Sequence, residues 1–242
     1  MSSSALTFNM KVKLIDEYND KGHLIFIENF IGAYIRGKTF EECVAKLHNE
    51  LMQYAEWRNI DFPNETIETE IIQKKQSDLN IGDADSDIIF ESEKKPLTQN
   101  EYENLKALAL KSANDFLSLY LSVPDKNATC LLPRETFYGK KPLTANEMYE
   151  HTKNVNSYYF SEIGINADNK PDIYTCRLNG FKKLETKPDF LKNKVLSGSY
   201  DELWSLRKLL RRFIWHDRIH AKAMYRMATK LFGNSIDNSF KF

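Results

Sequence analysis

The sequence predicts an α+β protein in which a small αβ module is followed by a helical bundle. Three observations predict it. Short alternating apolar runs joined by a glycine turn occupy the first 75 residues, and amphipathic helical stripes occupy residues 98–233. One helix-start grammar, Pro-Leu-Thr-x-Asn-Glu, stands at both Pro96 and Pro142. The organisation expected is an αβ module over 1–75, a linker over 76–97, a bundle over 98–233 and a polar tail over 234–242.

In the module, Phe8–Ile15 alternates apolar and polar residues as a half-buried strand does. Asp20-Lys21-Gly22 turns the chain, and His23–Ile27 reads as the second strand of a hairpin. Ala33–Arg36 is a third short strand ending at Gly37. Thr39-x-x-Glu42 is a capping box that opens a helix to about Trp57, with Cys43, Leu47, Leu51 and Ala55 on one face. Ile67–Ile72 completes a ββ(β)αβ unit. In the linker, Ile88-Ile89-Phe90 reads as an edge strand. Asp83-x-Asp85-x-Asp87 lacks the glycine and glutamate of a calcium loop, so it reads as a solvated acidic loop.

The bundle helices are expected at about 99–121, 144–163 and 200–232, with a further one within 170–192. Capping boxes at Thr98/Glu101, Thr144/Glu147 and Ser199/Glu202 start three of them, and Gly164 and Gly233 stand where left-handed caps belong.

Composition bounds the function. Lysine plus arginine equals aspartate plus glutamate at 34 each in 242 residues, which argues against a general binder of nucleic acid or anionic membrane. The three cysteines are far apart and outside any CxxC spacing, as in a reducing compartment. With no secretion signal and no membrane span visible, a cytoplasmic protein without membrane association is expected.

Of five histidines, three are arranged. His216 and His220 lie one turn apart within the apolar stripe of the last helix, and His151 takes an inward position in the stripe Met148, His151, Val155, Tyr158/Tyr159. Imidazoles in an apolar core need partners, and a shared divalent metal supplies them for all three at once. Three imidazole nitrogens with an open position suit zinc, nickel or iron. The histidines bind as neutral bases, so metal affinity is expected to fall below about pH 6. Around them, Glu147 one turn before His151, Tyr158 and Asp217 are the expected supporting residues. No residue is assigned a catalytic role.

Two resemblances follow from these residues. The stretch GHLIFIENFIGAYIRGKTFEECVAKLHNELMQYAEWR, with Gly37-x-Thr39-x-Glu41-Glu42-Cys43 at its helix entry, resembles the HicB antitoxin-type module over about residues 8–75. That resemblance implies a protein partner, a small toxin. The segments EMYEHTKNVNSYYF and LWSLRKLLRRFIWHDRIHAKAMYRMATKLFG resemble the DinB/YfiT family over about residues 98–233. This implies an up-down four-helix bundle whose metal triad falls on His151, His216 and His220. It also implies metal-dependent transferase (thiol-dependent among them) or hydrolase activity on a small-molecule substrate, and a homodimer.

Two other readings use the same residues. His216-Asp217-Arg218-Ile219-His220 has zincin spacing, but aspartate stands where glutamate would act, and the only carboxylate that follows as a third ligand is Asp237 in the polar tail. The basic residues of the last helix, from Arg207 to Lys230, read as a solvated face or as a stripe for nucleic acid. In that alternative the protein is a non-enzymatic toxin- or nucleic-acid-binding module with structural histidines.

Overall fold

The computed structural model describes residues 9–62, 66–136 and 139–242. It is a mixed α+β chain that divides into two compact units, Met1–Ser86 and Asp87–Phe242.

In the first unit, β1 (Asn9–Asn19), β2 (Gly22–Ile27), β3 (Tyr34–Gly37) and β4 (Thr66–Gln76) form one sheet in the order β3-β2-β1-β4. β1–β2 and β2–β3 are antiparallel, whereas β4 runs parallel to β1. A parallel neighbour needs a crossover, which contains α1 (Phe40–Val44) and α2 (Leu47–Arg58). The predicted hairpin forms with Asn19 opposite Gly22. Gly22 has φ +149, and a Cβ there would meet the Gly37 carbonyl oxygen at 2.6 Å, so the turn requires glycine.

The single helix expected from Thr39 is two helices, broken at Ala45-Lys46. Thr39 caps α1, its Oγ1 accepting from the Glu42 amide at 3.2 Å. Glu42 accepts from the Lys38 amide instead of that of Thr39, so the reciprocal half of the box is displaced by one residue. Cys43, Leu47, Leu51 and Ala55 are all buried, as their spacing predicts.

In the second unit, α3 (Gln99–Ser122), α4 (Ala145–Glu162), α5 (Ile173–Glu185) and α6 (Leu206–Phe232) pack against one another; α3 and α4 each touch both α5 and α6. The boxes at Thr98 and Thr144 form in full, with Glu101 and Glu147 accepting from the cap amides at 2.8 and 3.1 Å. Asp172 caps α5.

The last helix does not start at Ser199. Tyr200 and Asp201 have φ +59 and +57, outside right-handed helix space, and turn a short hairpin of β7 (Leu196–Ser197) and β8 (Leu203–Trp204). Ser205 is the true cap, accepting from the Lys208 amide and donating to the Glu93 carbonyl. Gly233 has positive φ but ψ −155, which is not a left-handed cap. Ile88-Ile89-Phe90 forms no strand. These residues are buried because Arg211 donates to the Ile88 carbonyl at 3.0 Å and stacks over Phe90. The tail after Gly233 is packed, with Ile236 and Phe240 buried. Among the described residues no helix is long and apolar enough to cross a membrane.

Candidate metal centre

α4 and α6 bring the three histidines together. His151 of α4 lies against His216 and His220, while eight residues later Tyr159 lies against Phe213 and His216, so the two helices run in opposite directions. The Thr144 cap fixes where α4 begins and hence which face carries His151; the Ser205 cap does the same for α6.

Ring centroids are 5.1 Å apart for His151–His216, 4.7 Å for His151–His220 and 4.5 Å for His216–His220. One nitrogen from each ring lies within 4.8 Å of the other two. A tetrahedral ion with bonds of about 2.0–2.1 Å spaces its ligand atoms roughly 3.3 Å apart, so modest side-chain rotation closes the set on one ion. His151 is the exposed member, whereas His216 and His220 are largely buried.

Burial, and then the neighbouring positive groups, disfavour protonation of the rings. Burial lowers His216 well below the ordinary histidine value, with further lowering from His220, His151, Arg212 and Arg177. His220 is pushed down to about 3 by burial, His151 and Lys141. The protein packed around His151 lowers it too, despite its exposed surface. Nδ1 of His216 is buried and meets no hydrogen-bonding atom among the described residues. Three lone-pair donors in close quarters, one with an unsatisfied nitrogen, are the chemistry a divalent ion relieves. The donors therefore fit a metal by type and by spacing.

The supporting residues fall elsewhere than expected. Glu147 is occupied at the α4 start, accepting from the Leu143 and Thr144 amides at 2.7 and 3.1 Å. Tyr158 lies edge-on to Trp204; its neighbour Tyr159 is the ring that meets His216, at 6.0 Å. Asp217 is fully buried and bound by Arg177, which sequence alone did not place because α5 had no legible start. The pairing leaves one signal in the sequence, a carboxylate next to a candidate ligand histidine on an otherwise apolar stripe.

The basic residues of α6 are mostly not a solvated face. Lys208, Arg211 and Arg218 are buried. Lys208 pairs with Glu202 at 2.8 Å, Arg211 with Glu93 and Arg207 with Glu101 at 3.0 Å. The remaining histidines also have local partners, His23 with Asp16 at 2.9 Å and His48 with the ring of Phe62.

Compared with known proteins, the chain matches no protein-family model, no curated protein and no solved structure.

Proposed function

We propose that the second unit is a DinB/YfiT-type four-helix bundle that binds one divalent metal ion, zinc, nickel or iron, through His151, His216 and His220. The observation that carries this reading is the convergence of three imidazoles from two helices, one with a buried, unpartnered nitrogen. Such an ion supplies Lewis-acid chemistry, polarising a bound water or thiol toward an electrophile, and the reading extends to a metal-dependent transferase or hydrolase on a small molecule. The chain's own residues hold and orient: α4 and α6 set the ring positions, the Tyr159 ring walls one side of His216, and exposed His151 leaves an approach from solvent. The first unit is read as a HicB-type module that binds a protein partner. The alternative of a nucleic-acid stripe on α6 is not favoured, because the cations it would use are largely buried and paired with Glu93, Glu101 and Glu202.

The test is elemental analysis of untagged protein, before and after reconstitution with each ion near neutral pH. About one equivalent is expected in the parent protein, and little in His151→Ala or in His216→Ala/His220→Ala with unchanged circular dichroism. A parent that retains no ion makes the histidines structural.

A further inference from the structure

We propose that the first unit pairs with a second copy of this chain through the outer edge of β4, antiparallel and about a two-fold axis between Ile71 and Ile72. β4 is an 11-residue strand at the end of the sheet order, with β1 on one side and, among the described residues, no strand on the other. One row of its amides and carbonyls is therefore directed away from the sheet, a template for a further strand. Residues 68–72, Lys74 and Gln76 are exposed, which puts two adjacent isoleucines at the middle of that edge.

The charges on β4 say what covers it. Acidic residues, Glu68 and Glu70, fill the first half of the strand, and basic ones, Lys74 and Lys75, fill the second. The ladder to β1 carries an extra residue, Ile72: Glu68 and Glu70 lie opposite Lys11 and Lys13, whereas Gln73 and Lys75 lie opposite Ile15 and Glu17. Those four β1 residues alternate along the strand and share one face, so Glu68, Glu70, Gln73 and Lys75 share that face of β4. Thr69 and Lys74, opposite Val12 and Asp16, share the other face. Without the extra residue, Glu68 and Lys75 would point to opposite faces. With it, an antiparallel copy sets Glu68 against Lys75 twice, Thr69 against Lys74 twice, and Ile71 against Ile72. A parallel copy would set Glu68 against Glu68. Charges that guard an edge strand repel its own copy, whereas this order attracts it.

The experiment is sedimentation velocity on the full chain from micromolar to about millimolar concentration, in the parent and in Thr69→Glu and Thr69→Lys. A monomer–dimer equilibrium is expected in the parent. Thr69→Glu places an acid against Lys74 of the copy and should lower the dissociation constant about fivefold, whereas Thr69→Lys should raise it by a similar factor. Hydrogen exchange of the parent should slow at β4 amides as concentration rises, with those of β3, the opposite edge, unaffected. A parent that stays monomeric overturns the inference, and so does a constant that is unchanged or moves the same way in both variants. A dimer without concentration-dependent protection of β4 overturns it too.

Discussion

Arg177 of α5 grips Asp217, the residue after His216 on α6, with both side chains fully buried and Nη2 3.1 Å from Oδ1. The second arm, Nη1, donates to the other carboxylate oxygen and to the Ala109 carbonyl of α3, and the guanidinium lies 4.1 Å from the centre of the Phe213 ring. Three helices are thus fastened at one point, one residue from a candidate metal ligand. The pair fixes the rotation of α6 about its axis and hence where His216 points.

Removing one partner leaves the other charge buried and unmatched. Arg177→Met and Asp217→Leu are each expected to destabilise the protein by about 3–5 kcal/mol in urea unfolding, whereas the double substitution recovers most of that loss. A double variant no more stable than either single one would show that the ion pair is not what holds this junction.

Metal binding is expected to hold to lower pH than free histidine allows. All three imidazoles are lowered from their ordinary value, so protons compete for them only at pH values below it. The fall below about pH 6 expected from sequence should therefore begin at lower pH than for free histidine, checked by competition of zinc against a chelating dye from pH 7.5 down to about 5. In the metal-free protein the same shifts have a stability cost in acid. The unfolded chain takes up protons as pH drops through about 6.5 and the folded chain does not, so stability present above that pH is lost below it. Zinc at 100 times its dissociation constant should add about 2.7 kcal/mol, and nothing in His216→Ala/His220→Ala.

Glu101 ties the start of α3 to α6. Amide donation from Thr98, then hydrogen bonds from Arg207 and the Thr98 hydroxyl, lower its pKa to about 2. The unfolded carboxyl protonates first, so the contribution of Glu101 is present above about pH 4.5 and lost as pH falls toward 2. Glu101→Gln should flatten that acid limb of the urea midpoint against pH, and Arg207→Gln should raise the Glu101 pKa measured by NMR.

Gly180 sits inside α5, where propensity alone predicts that alanine stabilises by up to about 1 kcal/mol. A Cβ at this position would lie 2.1 Å from Cε2 of Phe160, a fully buried ring of α4. Gly180→Ala is instead expected to destabilise by about 1–3 kcal/mol as the helices are forced apart. A variant more stable than the parent would refute the close approach of α4 and α5.

What could be read from sequence was local. The Thr98 and Thr144 boxes carry their hydrogen-bond partners within four residues, and the hairpin at Gly22 carries its own turn, so both were legible. The histidine cluster was legible because helical spacing put His216 and His220 on one apolar stripe and His151 on another. The start of α6 was misread because Ser199-x-x-Glu202 obeys the same grammar as a cap. Its competitor is distant: the Ser199 amide donates to Glu162, and Glu202 pairs with Lys208. The basic face of α6 was misread for the same reason, since burial of Arg211 depends on Glu93, over a hundred residues away. Pairing between remote charges leaves no periodicity to detect.

The separation of His151 from His216 and His220 has a kinetic consequence. The three rings meet only after α4 and α6 have docked, with α5 and the β7–β8 hairpin in the chain between them. Docking across so long a loop is a non-local event that pays a loop-closure cost before its contacts form. An ion that needs all three rings therefore finds no complete site in the transition state if docking completes after it. Its stabilisation then falls on the rate of unfolding, lengthening the lifetime of the folded state without hastening its formation.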